Sequence, residues 1–98
     1  MTELDALIAE ATLDCYTDSE CVSGFLTLID DNLGTPFKTE VLGVEVTVAK
    51  IEFSDDGNIV AGCTRGRSRQ RIPILDLPLP TPPPDGAEWI EAYRRWSR

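Results

Sequence analysis

Residues Thr17 to Val48 read TDSECVSGFLTLIDDNLGTPFKTEVLGVEVTV, and the apolar period changes inside that stretch. Val22, Phe25, Leu26, Ile29 and Leu33 fall at i, i+3, i+4, i+7 and i+11, one face of a helix. From Phe37 the period is two, with Val44, Val46 and Val48 on one side of an extended chain and Ile51 and Phe53 as further candidates for that side. Gly34 and Pro36 lie between the two patterns and are helix-stop residues. A helix that gives way to strands in a chain of 98 residues predicts one α+β domain, residues 1–98.

The helix has a clear start. Thr17-Asp18-Ser19-Glu20 is a capping box, with Thr17 as cap and Glu20 at the third helical position. Gly24 inside it costs about 1 kcal/mol relative to Ala, which close approach to another element would explain. On the N-terminal side, Leu4, Leu7, Ile8, Ala11 and Cys15 make a second apolar stripe, capped by Thr2 with Asp5 three residues on. That predicts a first helix over about 3–14. The two together are expected to form an antiparallel helical hairpin over 1–34.

On the C-terminal side, strands are expected at Glu40–Leu42, Val44–Phe53, Ile59–Arg65 and Arg69–Leu75. Gly43 marks a bend, and Asp55-Asp56-Gly57-Asn58 is a hairpin turn. Short strands with tight turns predict an SH3-like or Sm-like antiparallel β-barrel over 37–77. Pro78, Pro80, Pro82, Pro83 and Pro84 then make a stiff connector over 78–86. It reads as a passage to a last helix over 87–96, capped by Asp85, rather than as an SH3 or WW ligand. Trp89, Tyr93 and Trp96 share one face of that helix and are expected to pack in the core.

Composition narrows the function. The net charge of −8 argues against nucleic acid or an anionic membrane as main partner. No apolar run spans a bilayer, and no basic, then apolar, N-terminal segment suggests a signal peptide, so a cytoplasmic protein is expected. Cys15, Cys21 and Cys63 are an odd set without CxxC spacing, expected to be small, partly buried thiols. The chain contains no histidine, which speaks against structural zinc and against an enzyme.

The acids are distributed unevenly. Glu3, Asp5, Glu10, Asp14, Asp18, Glu20, Asp30 and Asp31 precede the first Lys or Arg, which is Lys38. Antiparallel packing would gather Asp14, Asp18 and Glu20 at one hairpin end. It would gather Glu3, Asp5, Asp30 and Asp31 at the other, about 20 Å away. Asp18 and Glu20 suit a helix start, whereas Asp14, Asp30 and Asp31 sit at helix ends, where negative charge opposes the dipole by ~0.3–1 kcal/mol each. Carboxylates, freed backbone carbonyls and the Asn32 amide are the oxygen donors that calcium takes. An EF-hand loop is absent from the sequence: neither Asp14 nor Asp55 opens one. Solvated acidic helix faces are also common.

A resemblance bears on that choice. Asp14-Cys15-Tyr16, the run Gly24-Phe25-Leu26-Thr27 leading to Asp30-Asp31-Asn32-Leu33, Pro36-Phe37, and the stretch from Arg69-Gln70-Arg71-Ile72-Pro73 through Leu77-Pro78 resemble small bacterial, cyanobacterial-type calcium-binding proteins. The likeness runs from Leu4 to Trp96. It implies a non-EF-hand Ca2+ buffer or sensor on a compact α+β body, and favours Asp14, Asp18, Glu20, Asp30 and Asp31 as metal ligands.

Arg65, Arg67, Arg69 and Arg71 alternate along a turn and strand, which puts several on one side. They are expected to balance acids elsewhere in the domain. The competing reading is an interaction module, meeting a basic protein through the acidic helices or RNA through the arginines. The acidic N-terminal third and the arginine-bearing sheet also make the molecule dipolar, so that two copies can associate head to tail.

Overall fold

The computed structural model describes residues 3–97; the Thr2 cap lies outside them. The order is α1 (Glu3–Ala11), α2 (Asp18–Asn32), β1 (Phe37–Val41), β2 (Val44–Phe53), β3 (Ile59–Arg65), β4 (Ser68–Pro73), a 3-10 turn (Ile74–Asp76) and α3 (Ala87–Trp96). The four strands form one antiparallel meander, in spatial order β1-β2-β3-β4.

α2 begins as its capping box requires. The Thr17 hydroxyl accepts the Glu20 N–H at 3.2 Å, and the Glu20 carboxylate accepts the Tyr16 N–H at 3.0 Å. Its apolar face buries Phe25 and Ile29 completely. Gly24 faces the Ala11 carbonyl so closely that any Cβ would collide with it, so the missing side chain lets α1 and α2 cross. α1 stops at Ala11, three residues short of expectation: past Thr12 the i−4 ladder gives way, and the Leu13 N–H turns to the Glu10 carbonyl at 3.4 Å. Asp14 then takes a left-handed backbone, φ 61°.

The helical hairpin is looser than expected. α1 packs more extensively on α3 than on α2, and an ion pair from Asp5 to Arg95, 3.0 Å, fastens it there. α3 supplies the aromatic centre: Phe25 lies 5.3 Å from both Tyr93 and Trp96, ring centre to ring centre. Asp85 does not cap α3. Gly86 holds that position with φ 86°, packed so tightly on Asn32 that only glycine fits, while the Asp85 carbonyl accepts the Gly34 N–H at 2.8 Å.

The expected SH3-like or Sm-like barrel does not close. The sheet is open, with β1 and β4 as unjoined edges. Closure would need the sheet to curl until those edges meet. One face of the sheet is instead occupied by helices, with Val48, Ile51, Ile59 and Ala61 buried in one core with Phe25, Ile29, Trp89 and Ile90. The inward period of β2 breaks at a bulge between Val48 and Lys50, which carries Ile51 inward. Val44, expected inward, is 36% exposed because it lies beyond the helices at the sheet end. The proline connector lies alongside β1: the buried Thr39 hydroxyl donates to the Pro78 carbonyl at 2.7 Å.

Candidate functional site

Asp14, Asp18, Glu20, Asp30 and Asp31 are all exposed. Asp14 sits in the α1–α2 turn, Asp18 and Glu20 occupy the first turn of α2, and Asp30 and Asp31 its last. The two groups lie at opposite ends of the 15-residue α2, so that Asp18 and Asp31 are about 20 Å apart along it at ~1.5 Å per residue. Glu20 is already engaged by the Tyr16 N–H. Among the described residues Asp14, Asp18, Asp30 and Asp31 have no ion pair. The Asn32 amide group donates to the Leu28 carbonyl at 2.7 Å, which leaves its oxygen available.

Among the described residues no three His, Cys, Asp or Glu side chains come together closely enough to hold a metal ion. Among the described residues the carboxylates are therefore not assembled as a cage. Asp5 joins Arg95 rather than sharing a site with Asp30 and Asp31.

The turn that bears Asp14 has a covalent feature that sequence reasoning missed. Cys15 and Cys21 are paired as a disulfide, and only Cys63 is a free, buried thiol. The left-handed turn at Asp14 folds Cys15 back over the first turn of α2, a local consequence of backbone conformation that spacing alone does not report. Cys63 has its thiol pushed up from the ordinary value by burial in the core.

The family models, curated proteins and solved structures compared with the chain give no match.

The sheet carries the opposite charge. Its outer face has cross-strand rows fixed by register: Lys38, Thr47, Thr64 and Arg69 in one, Lys50, Gly62 and Arg71 in the next. Over them lies an open groove of about 620 Å³, floored by Gly62. Glu52 is bracketed there by Lys50 at 3.2 Å and Arg71 at 3.0 Å. Internal balance, expected for the whole Arg65–Arg71 stripe, holds for Arg71 alone. Among the described residues Arg65, Arg67 and Arg69 form no ion pair, because β3, β4 and their turn project away from the acidic helices. Charged edge strands also discourage edge-to-edge pairing.

Asp55 and Asp56 belong to the β2–β3 turn. The Ser54 hydroxyl bonds the Asp56 carboxylate and holds it below the ordinary carboxylate range, with Asn58 adding to the effect. No helix among the described residues is long and apolar enough to cross a membrane.

Proposed function

We propose that this protein binds calcium without an EF-hand, as a cytoplasmic Ca2+ buffer or sensor, through Asp14, Asp18, Glu20, Asp30 and Asp31. One observation carries the reading: of the eight acids before Lys38, only Asp5 has an ion pair among the described residues. Two of the unpaired ones, Asp30 and Asp31, lie at the carboxyl end of α2, where the dipole disfavours them and spare carbonyls are nearby. The resemblance to the cyanobacterial-type family points the same way. Because the carboxylates are dispersed, the binding is weaker than a preformed cage would give, and it favours calcium's irregular oxygen shell over magnesium's strict octahedron.

Titration of calcium and magnesium against melting temperature tests this. At free ion ~100-fold above Kd, binding to the folded state alone adds ~2.7 kcal/mol. A clear rise with calcium and a smaller one with magnesium is expected. The response weakens in Asp31→Asn and persists in Asp56→Asn. The reverse ranking moves the site to the hairpin turn, and a flat response to both ions removes the reading. The cytoplasmic assignment is tested by the thiols. Disulfides persist mainly in oxidising compartments, so the Cys15–Cys21 bond weighs against this assignment; a pair found reduced in intact cells would keep it, and a pair trapped oxidised would overturn it.

A second reading rests on a separate observation, the missing ion pairs of Arg65, Arg67 and Arg69. On it the protein is an interaction module that presents these guanidinium groups to an acidic protein segment or to RNA. Salt-sensitive binding of an acidic peptide or an RNA oligonucleotide, lost in Arg65→Glu, is its expected signature.

A further inference from the structure

The antiparallel meander brings the β1–β2 turn and the β3–β4 turn to the same end of the sheet. Leu42 at the first is 98% exposed and held in a left-handed backbone, φ 52°. A large apolar side chain in that conformation is uncommon, and nothing among the described residues covers it. Between the two turns lies a cleft of about 300 Å³, walled by Val41, Leu42, Val46 and Ile72, with Arg65 and Arg69 also lining it. The cleft is open and apolar on its β1–β2 side, with Thr64, Ser68 and Gln70 beside the two arginines, which form no ion pair among the described residues.

The chain has one exposed segment of the complementary kind. In the α1–α2 turn Leu13 is 73% and Tyr16 87% exposed. Asp14 and Asp18 flank Tyr16 and have no ion pair among the described residues. The Cys15–Cys21 bond and the Tyr16–Glu20 hydrogen bond restrain this turn, so less conformational freedom is lost on docking. An apolar tip flanked by two carboxylates is complementary to a partly apolar cleft that Arg65 and Arg69 help to line from the two faces of the sheet.

We propose that the cleft at the β1–β2 and β3–β4 turns receives the Leu13–Asp18 turn of a second copy of this chain. This rests on the second reading above and names its partner. Tyr16 enters the cleft, and Asp14 and Asp18 meet Arg65 and Arg69. The contact is heterologous, each copy offering a turn to one neighbour and a cleft to the other, so it propagates as short chains rather than stopping at a symmetric pair. The net charge of −8 opposes association at low ionic strength. At physiological salt the screening length is ~8 Å, so the local opposite patches dominate over whole-molecule repulsion.

Sedimentation at rising protein concentration, with calcium chelated, tests the proposal. The wild-type mass is expected to rise with concentration and to fall again in high salt. Arg65→Glu with Arg69→Glu, and separately Asp14→Lys with Asp18→Lys, should each weaken association by about tenfold or more, ~1.4 kcal/mol or more. Mixing the two variants restores it, since reversed charges meet again. Tyr16→Ser weakens association without changing charge, and circular dichroism confirms that every variant is folded. A wild-type protein that stays monomeric at all concentrations overturns the proposal. So does association indifferent to the reversals, or a mixture that remains monomeric. If an acidic peptide or an RNA oligonucleotide binds the arginines while the chain stays monomeric, the second-copy proposal is overturned and the second reading stands. If neither binds, both fall.

Discussion

The helical part and the sheet solve the same electrostatic problem in opposite ways. From Glu3 to Asn32 there are eight acids and no base, and one external cation, Arg95, reaches in to Asp5. From Phe37 to Pro73 six of the chain's nine Lys and Arg face outward, some paired across the strands and three not. A sheet sets side chains of neighbouring strands side by side, so Lys50, Glu52 and Arg71 neutralise one another locally. A helix hairpin without bases cannot do so. What joins the two regions is apolar packing: Phe25 and Ile29 of α2 meet Val48, Ile51 and Ala61 of the sheet in one core.

That junction gives the largest expected effect. Phe25 is fully buried and touches both Tyr93 and Trp96. Phe25→Ala should cost about 3–5 kcal/mol in urea unfolding, a large share of the stability of a domain this small. A loss under 1 kcal/mol would mean that helices and sheet are stabilised independently.

The next effect lies within the acidic region alone. Cys15 and Cys21 close a short loop across the α1–α2 turn. Cys21→Ser should lower stability by about 2 kcal/mol in the loop-entropy account. Reducing agent should then destabilise the wild type by a similar amount and leave the variant unaffected. If reduction has no effect on the wild type, the turn is held by the Thr17 and Glu20 caps without the bond.

How far these features could be read from sequence follows the same division. Patterns decided by neighbours were legible: the Thr17–Glu20 box, the apolar face of α2, the bounds of β2 and β3, the Asp55–Asn58 turn and the aromatic face of α3. Patterns decided by distant partners were not. Whether β1 and β4 meet depends on sheet curvature, and no residue in either strand reports it. The preference of α1 for α3 rests on Asp5 and Arg95, ninety positions apart. The Ala49 bulge shifts which residues face inward without changing their composition. The acids at the helix ends and their separation along α2 were found by counting, but the departure of Asp5 from Asp30 and Asp31 to Arg95 was not. The arginines' lack of partners depends on which way β4 faces.

A smaller effect separates function from stability. Asp31 lies in the last turn of α2, where its charge opposes the dipole. Asp31→Asn should raise the calcium-free melting temperature, by an amount equivalent to ~0.3–1 kcal/mol, while reducing the calcium-induced rise. A residue retained only for solubility would show the first change without the second. The combination marks an acid kept at a stability cost for what it binds.

The smallest effect comes from the one acid in the sheet region whose titration is displaced. The Ser54 hydroxyl, with Asn58, holds the Asp56 carboxyl below the ordinary value of 3.8, and slight desolvation works against them. A carboxyl with a depressed folded-state pKa stabilises the fold at pH values above the unfolded value. That contribution is lost as pH falls through the folded-state value. Wild type should therefore exceed Asp56→Asn in melting temperature at neutral pH, and the gap should close only below about pH 4. Because Asp56 is fully exposed, the gap is small and shrinks in salt. A gap that persists unchanged at low pH would mean that the turn is held by the Ser54 and Asn58 backbone bonds, with the carboxylate a bystander. Asp14, Asp18, Asp30 and Asp31, which have no ion pair among the described residues, are then the carboxylates whose charge should matter more to a ligand than to the fold.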